Sequence, residues 1–385
     1  MRGSSQAATF WNDDLESHAA VRVVCVPVGF TPPRVFERYL RALRASPRVP
    51  LAAITRGGNV HRHSTFTSSL SSLSSVSSAS SSSVSSSVSS SSSSSISSMT
   101  PTATEAFLKR APHPFASARD HNSLRFDFIE SGSVLLPSPF LDLQPHRKAL
   151  AVVGICHCPS TPDIASMFNA MEARMQKVAA DQGQDTVWRC LAFDVSDEQL
   201  RALQTRTLSP QSVSLLVRIL PDRRLENGHS MQSMMLRNAL SNLGSELFAN
   251  FHCTVALGLA GKLTTMPRLS TASDAKVKEK MKASRWAKRL GYRMALWAAE
   301  YCLLAGSPTD AVEHLRPALQ GMLAESKQHR DDMWLGAVHQ ALAAALMVAQ
   351  IDEENATTDG ILDFPGIMPS DVGGGRNDGG GGGGG

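Results

Sequence analysis

The chain contains continuous apolar runs rich in β-branched residues, each followed by an amphipathic helical pattern. The first run is VRVVCVPV at residues 21–28, and KALAVVGIC follows at 148–156. TVWRCLAFDV at 186–195 and SVSLLVRIL at 212–220 extend the series. A run without polar alternation is typical of a strand buried on both faces of a parallel sheet. Because these strands alternate with helices, the sequence predicts an α/β domain with a mainly parallel sheet.

The segments between the strands carry helix signals. Thr31 is predicted to cap a helix opened by Pro32 and Pro33. A second helix is predicted near residues 163–180, and a long amphipathic helix follows the last strand. The apolar residues of that long helix are Met231, Met234, Met235, Leu240, Leu243, Leu247 and Phe248. SLRFDFIE alternates polar and apolar residues, which predicts an edge strand or an antiparallel addition to the sheet.

Two low-complexity segments interrupt the foldable sequence. Residues 64–100 are mostly serine and residues 373–385 are almost all glycine, so neither can bury enough apolar surface to offset the entropy of ordering. The serine tract is predicted to be a disordered insertion within the α/β domain. The predicted division is a disordered N-terminus at 1–18, the α/β domain at 19–262 with its insertion at 56–120, a basic linker at 263–280, a helical region at 281–350 and a disordered glycine-rich tail at 351–385.

Composition argues against several classes of protein. The net charge of +4 over 385 residues is too small and too diluted to indicate a nucleic-acid partner. The six cysteines are scattered, mostly within apolar runs, as expected of reduced core thiols in a cytosolic protein. The N-terminus lacks the apolar core of a secretory signal. The longest apolar run, residues 335–351, has three polar interruptions, which favours a buried helix over a membrane span.

A nucleotide or catalytic site was sought where α/β proteins carry one, at the C-terminal ends of the strands. The first strand ends in VGFTPP, which has neither of the glycine-rich phosphate-binding motifs. The nearest match surrounds Gly261 and Lys262, but Leu263 stands where the magnesium-binding hydroxyl belongs. Asp194 ends a predicted strand, and without a partner histidine it is interpreted as a helix-capping or solvent-facing residue. The sequence therefore predicts no catalytic residues and no cofactor.

Clusters of metal-ligand and basic residues have simpler interpretations. Cys156, His157 and Cys158 form one tight cluster, whereas zinc usually takes two separated pairs, and adjacent strand residues point to opposite faces. Residues 61–63, His-Arg-His, border the serine tract and are expected to be solvated. Residues 268–293 carry nine Lys/Arg against two acids, which favours a solvated linker over a surface for an acidic partner.

The segment ALWAAEYCLLAGSPTDAVEHLRPAL predicts a sharp helical hairpin. One helix is expected to end at Gly306, and Ser307 is expected to cap a second helix with Pro308 at its first position. Pro317 should kink or shorten that second helix. A third helix is predicted to begin after Asp331 and Asp332 and to run through Trp334 to Val348. The residues predicted to pack the hairpin, with the spacing of a tetratricopeptide-like repeat, are Trp297, Tyr301, Leu304, Gly306, Ser307, Pro308, Ala311, Leu315, Ala318 and Trp334.

These segments resemble a known family. CLLAGSPTDAVEHLRPAL followed by DDMWLGAVHQAL is similar to the helical segment of the TRAPP II-specific large subunit, the 120-kDa family also called trafficking protein particle complex subunit 9. VRVVCVPVG, LLPSPFLDLQPHRKALAVVGIC and RCLAFDV agree with it in order, so the resemblance spans residues 20–350 without the serine insertion. Ala299 and Glu300 stand where the family usually has Gly-Asp.

The resemblance implies a non-catalytic scaffold subunit of a vesicle-tethering complex that is cytoplasmic and peripheral at Golgi membranes. It implies other TRAPP subunits as partners, a Rab GTPase as an indirect partner, membrane association through the complex, and no nucleic acid or cofactor. It also implies a GTPase-like sheet domain without nucleotide motifs that leads into an α-helical solenoid. The alternatives left by the residues themselves are a nucleotide-binding α/β enzyme with a degenerate motif and a generic helical-repeat adaptor.

Overall fold

The structure is a computed structural model, and its described residues cover the predicted strands and helices. They are 15–57, 107–108, 110, 112–119, 122–132, 144–161, 163–182, 186–199, 201, 216–222, 230–263, 278–279, 282–325 and 331–359. The serine tract, residues 61–63, most of the predicted basic linker and the end of the glycine-rich tail lie outside these ranges.

Within the described residues, six strands form one sheet in the order β2-β3-β1-β4-β5-β6. The strands are β1 (Ala20–Val28), β2 (Arg48–Pro50), β3 (Ser123–Glu130), β4 (Ala149–His157), β5 (Val187–Phe193) and β6 (Leu216–Ile219). β2 pairs antiparallel with β3, and every other neighbouring pair is parallel. The predicted α/β class with a mainly parallel sheet is therefore confirmed.

Helices cover both faces of this sheet. They are α1 (Pro33–Arg44), α2 (Leu51–Gly57), α3 (Ile164–Gln182), α4 (Met231–Leu259), α5 (Ala283–Leu304), α6 (Pro308–Leu323) and α7 (Asp332–Asp359). In β1, Val24 and Val26 pack in the core under α3, whereas Val21 and Val23 pack in the core shared with α1 and α4 to α7. Because β1 is apolar on both faces, it forms the centre of the molecule.

The prediction for SLRFDFIE was an edge strand or an antiparallel addition to the sheet. The edge position was wrong, whereas the strand does pair antiparallel with β2. β3 lies between β2 and β1 and runs parallel to β1. Its polar position Arg125 is 4% exposed. The guanidinium is buried because Asp352 of α7 pairs with it at 2.7 Å. The alternation that suggested a solvated face therefore reflects a buried ion pair.

The predicted start of α1 and the predicted shortening of α6 were also wrong. Thr31 does not cap α1, because its hydroxyl donates to the Val28 and Ile155 carbonyls at 2.7 and 3.1 Å and so joins β1 to β4. The cap residue of α1 is Pro32. Pro317 does not shorten α6, which continues to Leu323. Pro317 is exposed, so the carbonyl that loses its backbone donor faces solvent.

Several residues that were expected to be disordered are folded. His18 is 2% exposed at the start of β1, and Phe115 is 3% exposed in the main core although it falls in the predicted insertion. α7 continues beyond residue 350 to Asp359, into the predicted tail. These errors share one cause. The short segments have polar or low-complexity neighbours in the sequence, and tertiary packing stabilises them.

α7 is also the one described helix long and apolar enough to cross a membrane, judged by length and composition alone. Its stretch Asp332–Glu354 has a mean hydropathy of 1.4. One face of α7 nevertheless lies in the main core, where Trp334, Val338, Ala345 and Val348 are buried.

Candidate functional site

The turn between α5 and α6 is a tightly closed helix end. Gly306 has a φ of 72°, and the Ser307 and Gly306 amides donate to the Cys302 and Leu303 carbonyls at 2.8 and 3.0 Å. This pair of bonds is the Schellman motif, which requires a left-handed residue at the glycine position. α5 therefore ends where the sequence predicted.

The start of α6 differs from the predicted cap. The Ser307 amide is already bonded to Cys302, and its hydroxyl donates to the Asp310 carboxylate instead of accepting from the helix. That carboxylate also accepts the Ser117 amide at 3.0 Å. Asp310 therefore attaches α6 to the segment 112–119, which explains why a carboxylate is buried at this position.

The structure places the predicted hairpin residues together. Nine of them are buried and Tyr301 is half-buried: the buried ones are Trp297, Leu304, Gly306, Ser307, Pro308, Ala311, Leu315, Ala318 and Trp334. The Trp297 ring meets Tyr301 edge to face at 5.1 Å. It also lies against Gly258 of α4, where an added Cβ would be 2.5 Å from the ring. Trp297 thus packs the hairpin onto the long helix of the α/β part.

The hairpin rests on the edge of the sheet where the parallel strands begin. Asn122, just before β3, donates its side-chain amide to the Gly306 carbonyl at 2.8 Å. His146, just before β4, lies with its Nδ1 2.6 Å from Glu300 Oε2 of α5. We call this contact the hairpin seat and define it by Asn122, His146, Glu300, Gly306 and Asp310. Four of these side chains are polar and buried, so each depends on its partner across the seat.

Glu300 is the centre of a buried three-residue cluster in the seat. His18 Nδ1 lies 3.8 Å from its Oε1, and the two imidazole centroids are 3.9 Å apart. Burial alone raises the pKa of Glu300, but the adjacent His146 and His18 imidazoles outweigh it and hold the pKa at about 2. Glu300 is therefore an anion. The three side chains are the described group whose donor atoms could hold a metal.

A second buried contact joins the sheet to the last helix. Arg125 of β3 pairs with Asp352 of α7 at 2.7 Å, and both side chains are 5% exposed. Glu16 lies 3.7 Å from the other nitrogen of Arg125. The ion pair spans 227 residues of sequence, so it fixes α7 against the sheet independently of the hairpin turn.

The basic stretch was expected to be a solvated linker that runs into a helix, and the structure corrects part of this. Arg289 and Arg293 of α5 are 5% and 0% exposed. Both bind Asp331 at 3.0 and 2.5 Å, and the Arg293 guanidinium lies 4.5 Å from the Trp334 ring centroid. These two basic residues therefore hold the start of α7 against α5.

The opposite edge of the sheet, where the strands end, carries a polar cluster. The Tyr39 hydroxyl of α1 donates to Asp194 at 2.6 Å and lies 2.8 Å from His157 Nδ1, and Arg38 approaches Asp194 at 3.8 Å. Asp194 has a φ of 57°, in the left-handed region. The interpretation of Asp194 as a capping or solvent-facing residue was wrong, because a tyrosine from another element binds it.

The protonation of this cluster follows from its burial. Burial raises the pKa of Tyr39, and its hydrogen bond to the Asp194 carboxylate raises it further. Burial lowers the pKa of His157 although Asp194 opposes that shift. The cluster is therefore a neutral phenol between a carboxylate and an imidazole, which can accept or donate hydrogen bonds but holds no activated nucleophile.

The turn after β1, where a phosphate loop would lie, is occupied by contacts within the chain. The Phe30 amide donates to Thr161 Oγ1 at 3.3 Å. A Cβ on Gly29 would lie 2.9 Å from the same oxygen, so the turn rests directly on that residue. Gly261 and Lys262 follow the C-terminus of α4, where the helix dipole favours cations over phosphate. Lys262 Nζ lies 3.9 Å from the centroid of the Phe107 ring.

His157 points away from Cys156 and Cys158, which lie together on one face of the sheet. Cys156 and Cys158 are buried in the core under α3, whereas His157 reaches Tyr39, which belongs to the core on the other face. This divergence is the one expected for adjacent residues at the end of a strand.

Comparison with known proteins identifies relatives for nearly the whole chain. No family model matches. The chain is 26% identical over 350 residues to the trafficking protein particle complex II-specific subunit 120 homolog of Arabidopsis thaliana, which covers 90% of this chain. It is 28% identical over 247 residues, 63% of its length, to the protein of the same name from Oryza sativa subsp. japonica. The resemblance to the TRAPP II-specific large subunits is confirmed.

The chain spans less than a quarter of the length of either relative. The aligned regions span 23% of the Arabidopsis TRAPP II-specific protein and 18% of the rice one. Both are named as subunits of a trafficking complex.

Several buried polar residues that join the sheet to the helices were missed by the sequence analysis. These are His18, Asn122, Arg125 and His146, which join elements far apart in sequence. Glu300 offered a detectable signal, because a single acid within the apolar run ALWAAEYCLL demands a buried partner. The partners themselves precede strands by one or a few residues, where no periodic pattern marks them.

Proposed function

We propose that the chain is a non-catalytic scaffold subunit of a TRAPP-type vesicle-tethering complex. It holds other TRAPP subunits in place at Golgi membranes, and the assembled complex supports nucleotide exchange on a Rab GTPase. The similarity to two proteins named as TRAPP II-specific subunits supports the complex, and the architecture supports the scaffold role.

The hairpin seat is the observation that carries this proposal. A scaffold must keep its binding surfaces at fixed positions relative to one another. Asn122, Glu300 and Asp310 each bind across the junction between sheet and helices, and Arg125 adds the contact to α7. Because these polar groups are buried, separating the sheet from the helices would leave them without hydrogen-bond partners. The sheet and the helices are therefore expected to move as one rigid body.

We further propose the division into an α/β unit at 19–262 and a tetratricopeptide-like helical region that begins at 281. α5, α6 and α7 pack in sequence, each on the one before, as successive helices of a helical array do. Leu323, Met333 and Leu346 are about half exposed on the α6–α7 side. In this arrangement the sheet supports the first helices, and the outer surfaces contact partners.

Co-purification from a cell lysate tests the proposal. The tagged full chain should recover TRAPP core subunits, identified by mass spectrometry. Asp310→Ala together with Asn122→Ala should reduce recovery, because the hairpin loses its attachment to the sheet. Glu313→Ala, an exposed acid on the same helix, is the matched control and should recover as much as the unaltered chain. A folded chain that elutes as a monomer and recovers no TRAPP subunit would refute the proposal.

A further inference from the structure

Three residues with metal-ligand chemistry meet in one buried cluster at the edge of the sheet where the parallel strands begin. His18 precedes β1, His146 lies in the short 3-10 helix before β4, and Glu300 belongs to α5. They are 2%, 4% and 2% exposed. One ring nitrogen of each histidine and one Glu300 carboxylate oxygen all lie within 4.8 Å of one another.

Pairing within the protein satisfies one of the two histidines. His146 Nδ1 is 2.6 Å from Oε2 of Glu300, a hydrogen bond. His18 Nδ1 is 3.8 Å from Oε1, beyond hydrogen-bond distance, and it is a buried nitrogen with no hydrogen-bond partner among the described residues. Protonating both rings would not stabilise the cluster, because two imidazolium ions with centroids 3.9 Å apart repel each other.

A divalent cation resolves this arrangement. Two neutral imidazoles can each direct a lone pair at the ion, and the carboxylate supplies the negative charge. We propose that His18 Nδ1, His146 Nδ1 and a Glu300 carboxylate oxygen bind a divalent transition-metal ion, with zinc the best match to the ligand set.

Ligand type and spacing both favour zinc. Zinc binds histidine nitrogen and carboxylate oxygen at about 2.0–2.2 Å, so tetrahedral ligands lie about 3.3 Å apart. The separation from His146 Nδ1 to Glu300 Oε2 is 2.6 Å and the one from His18 Nδ1 to Oε1 is 3.8 Å, so they lie on either side of that value. Two histidines and one carboxylate form a three-ligand set, which zinc completes with a water. Calcium and magnesium prefer sites made only of oxygen.

The position of the site gives it a structural role. The ligands come from the segments that lead into β1 and β4 and from the helix that begins the hairpin. Zinc would therefore tie the sheet to α5 at the hairpin seat. Metal binding to such a site contributes directly to the stability of the fold.

Metal analysis of the full chain tests the site. The purified protein is stripped with a chelator, incubated with zinc, dialysed and measured by mass spectrometry for metal content. The unaltered chain should retain an equimolar amount of zinc and show a higher Tm with zinc than without. Glu300→Gln and His18→Asn should each retain at least tenfold less. His61→Ala with His63→Ala is the matched control for adventitious histidine binding and should retain the full amount.

Cobalt provides a test that requires no variant to fold. The stripped, unaltered chain titrated with Co²⁺ should develop d–d absorption bands that zinc abolishes, without the charge-transfer band of a thiolate ligand. Thiolate absorption would place the metal at Cys156 and Cys158 and overturn the proposal. No retained zinc and no cobalt bands would also overturn it, leaving a histidine–carboxylate pair. A folded Glu300→Gln protein with unchanged zinc content would do the same.

Discussion

Removing one partner of the ion pair between Arg125 and Asp352 should lower the free energy of unfolding strongly. Asp352→Ala leaves a guanidinium that is 4% exposed without its 2.7 Å partner. Breaking a buried pair in this way costs about 3–5 kcal/mol. Glu16, at 3.7 Å from Arg125, compensates part of the loss, so we expect about 3 kcal/mol. At 2–4 °C per kcal/mol, the Tm falls by roughly 6–12 °C.

Unfolding by heat and by urea, followed by circular dichroism, measures this change. Hydrogen exchange shows where the chain is destabilised, because the amides of α7 should lose protection first. Glu353→Ala is the matched control: the neighbouring acid is exposed, and its removal should change stability by less than about 0.5 kcal/mol. Replacing both partners by Arg125→Met and Asp352→Leu should restore most of the stability, since no charge then remains buried. Equal stability of the Asp352→Ala and Glu353→Ala proteins would refute the reasoning.

Four further changes test local features by unfolding measurements. Gly306→Ala should destabilise the chain by about 2 kcal/mol or more, because φ is 72° and the new Cβ would lie 2.8 Å from a carbonyl of β3. Gly291→Ala, at an exposed helical glycine with open space around it, should instead stabilise by about 0.5–1 kcal/mol. Pro317→Ala should stabilise by about 1–3 kcal/mol, since it restores a donor inside α6. The pKa of Tyr39 is raised above its ordinary value of 10.0, so its contribution to stability is present below pH 10 and declines as the pH rises further. Tyr39→Phe should flatten that decline.

Each of these has a result that counts against it. A stable Gly306→Ala protein would mean that the turn is not held against β3. A destabilised Pro317→Ala protein would mean that the proline makes a favourable contact. An unchanged pH profile in Tyr39→Phe would mean that the phenol is not buried against Asp194.

The strands and the hairpin could be predicted because their signals are local. VRVVCVPV is apolar on both faces wherever it packs, and Gly306 followed by Ser307 and Pro308 ends one helix and begins another in almost any context. Residues 112–119 and His18 were missed because their burial depends on partners more than a hundred residues away.

The polar residues of the junction show the limit most clearly. The burial of Arg125 was not predicted, because its partner, Asp352, belongs to a part of α7 beyond the predicted helix end at Val348. Asp194 was interpreted without a partner because Tyr39 and His157 lie on other elements. Sequence patterns report which face of an element is apolar, but pairing between buried charges depends on the assembled tertiary structure.

We propose that this α/β unit acts through its surfaces. Contacts within the chain occupy the C-terminal ends of the strands, where a nucleotide would bind. Equilibrium binding of labelled GTP and ATP to the purified full chain tests this most directly, with Lys262→Ala as the comparison. We expect no saturable binding of either nucleotide, and identical results for the unaltered chain and for Lys262→Ala. Saturable binding by the unaltered chain that is lost in Lys262→Ala would contradict it and support a nucleotide-binding enzyme.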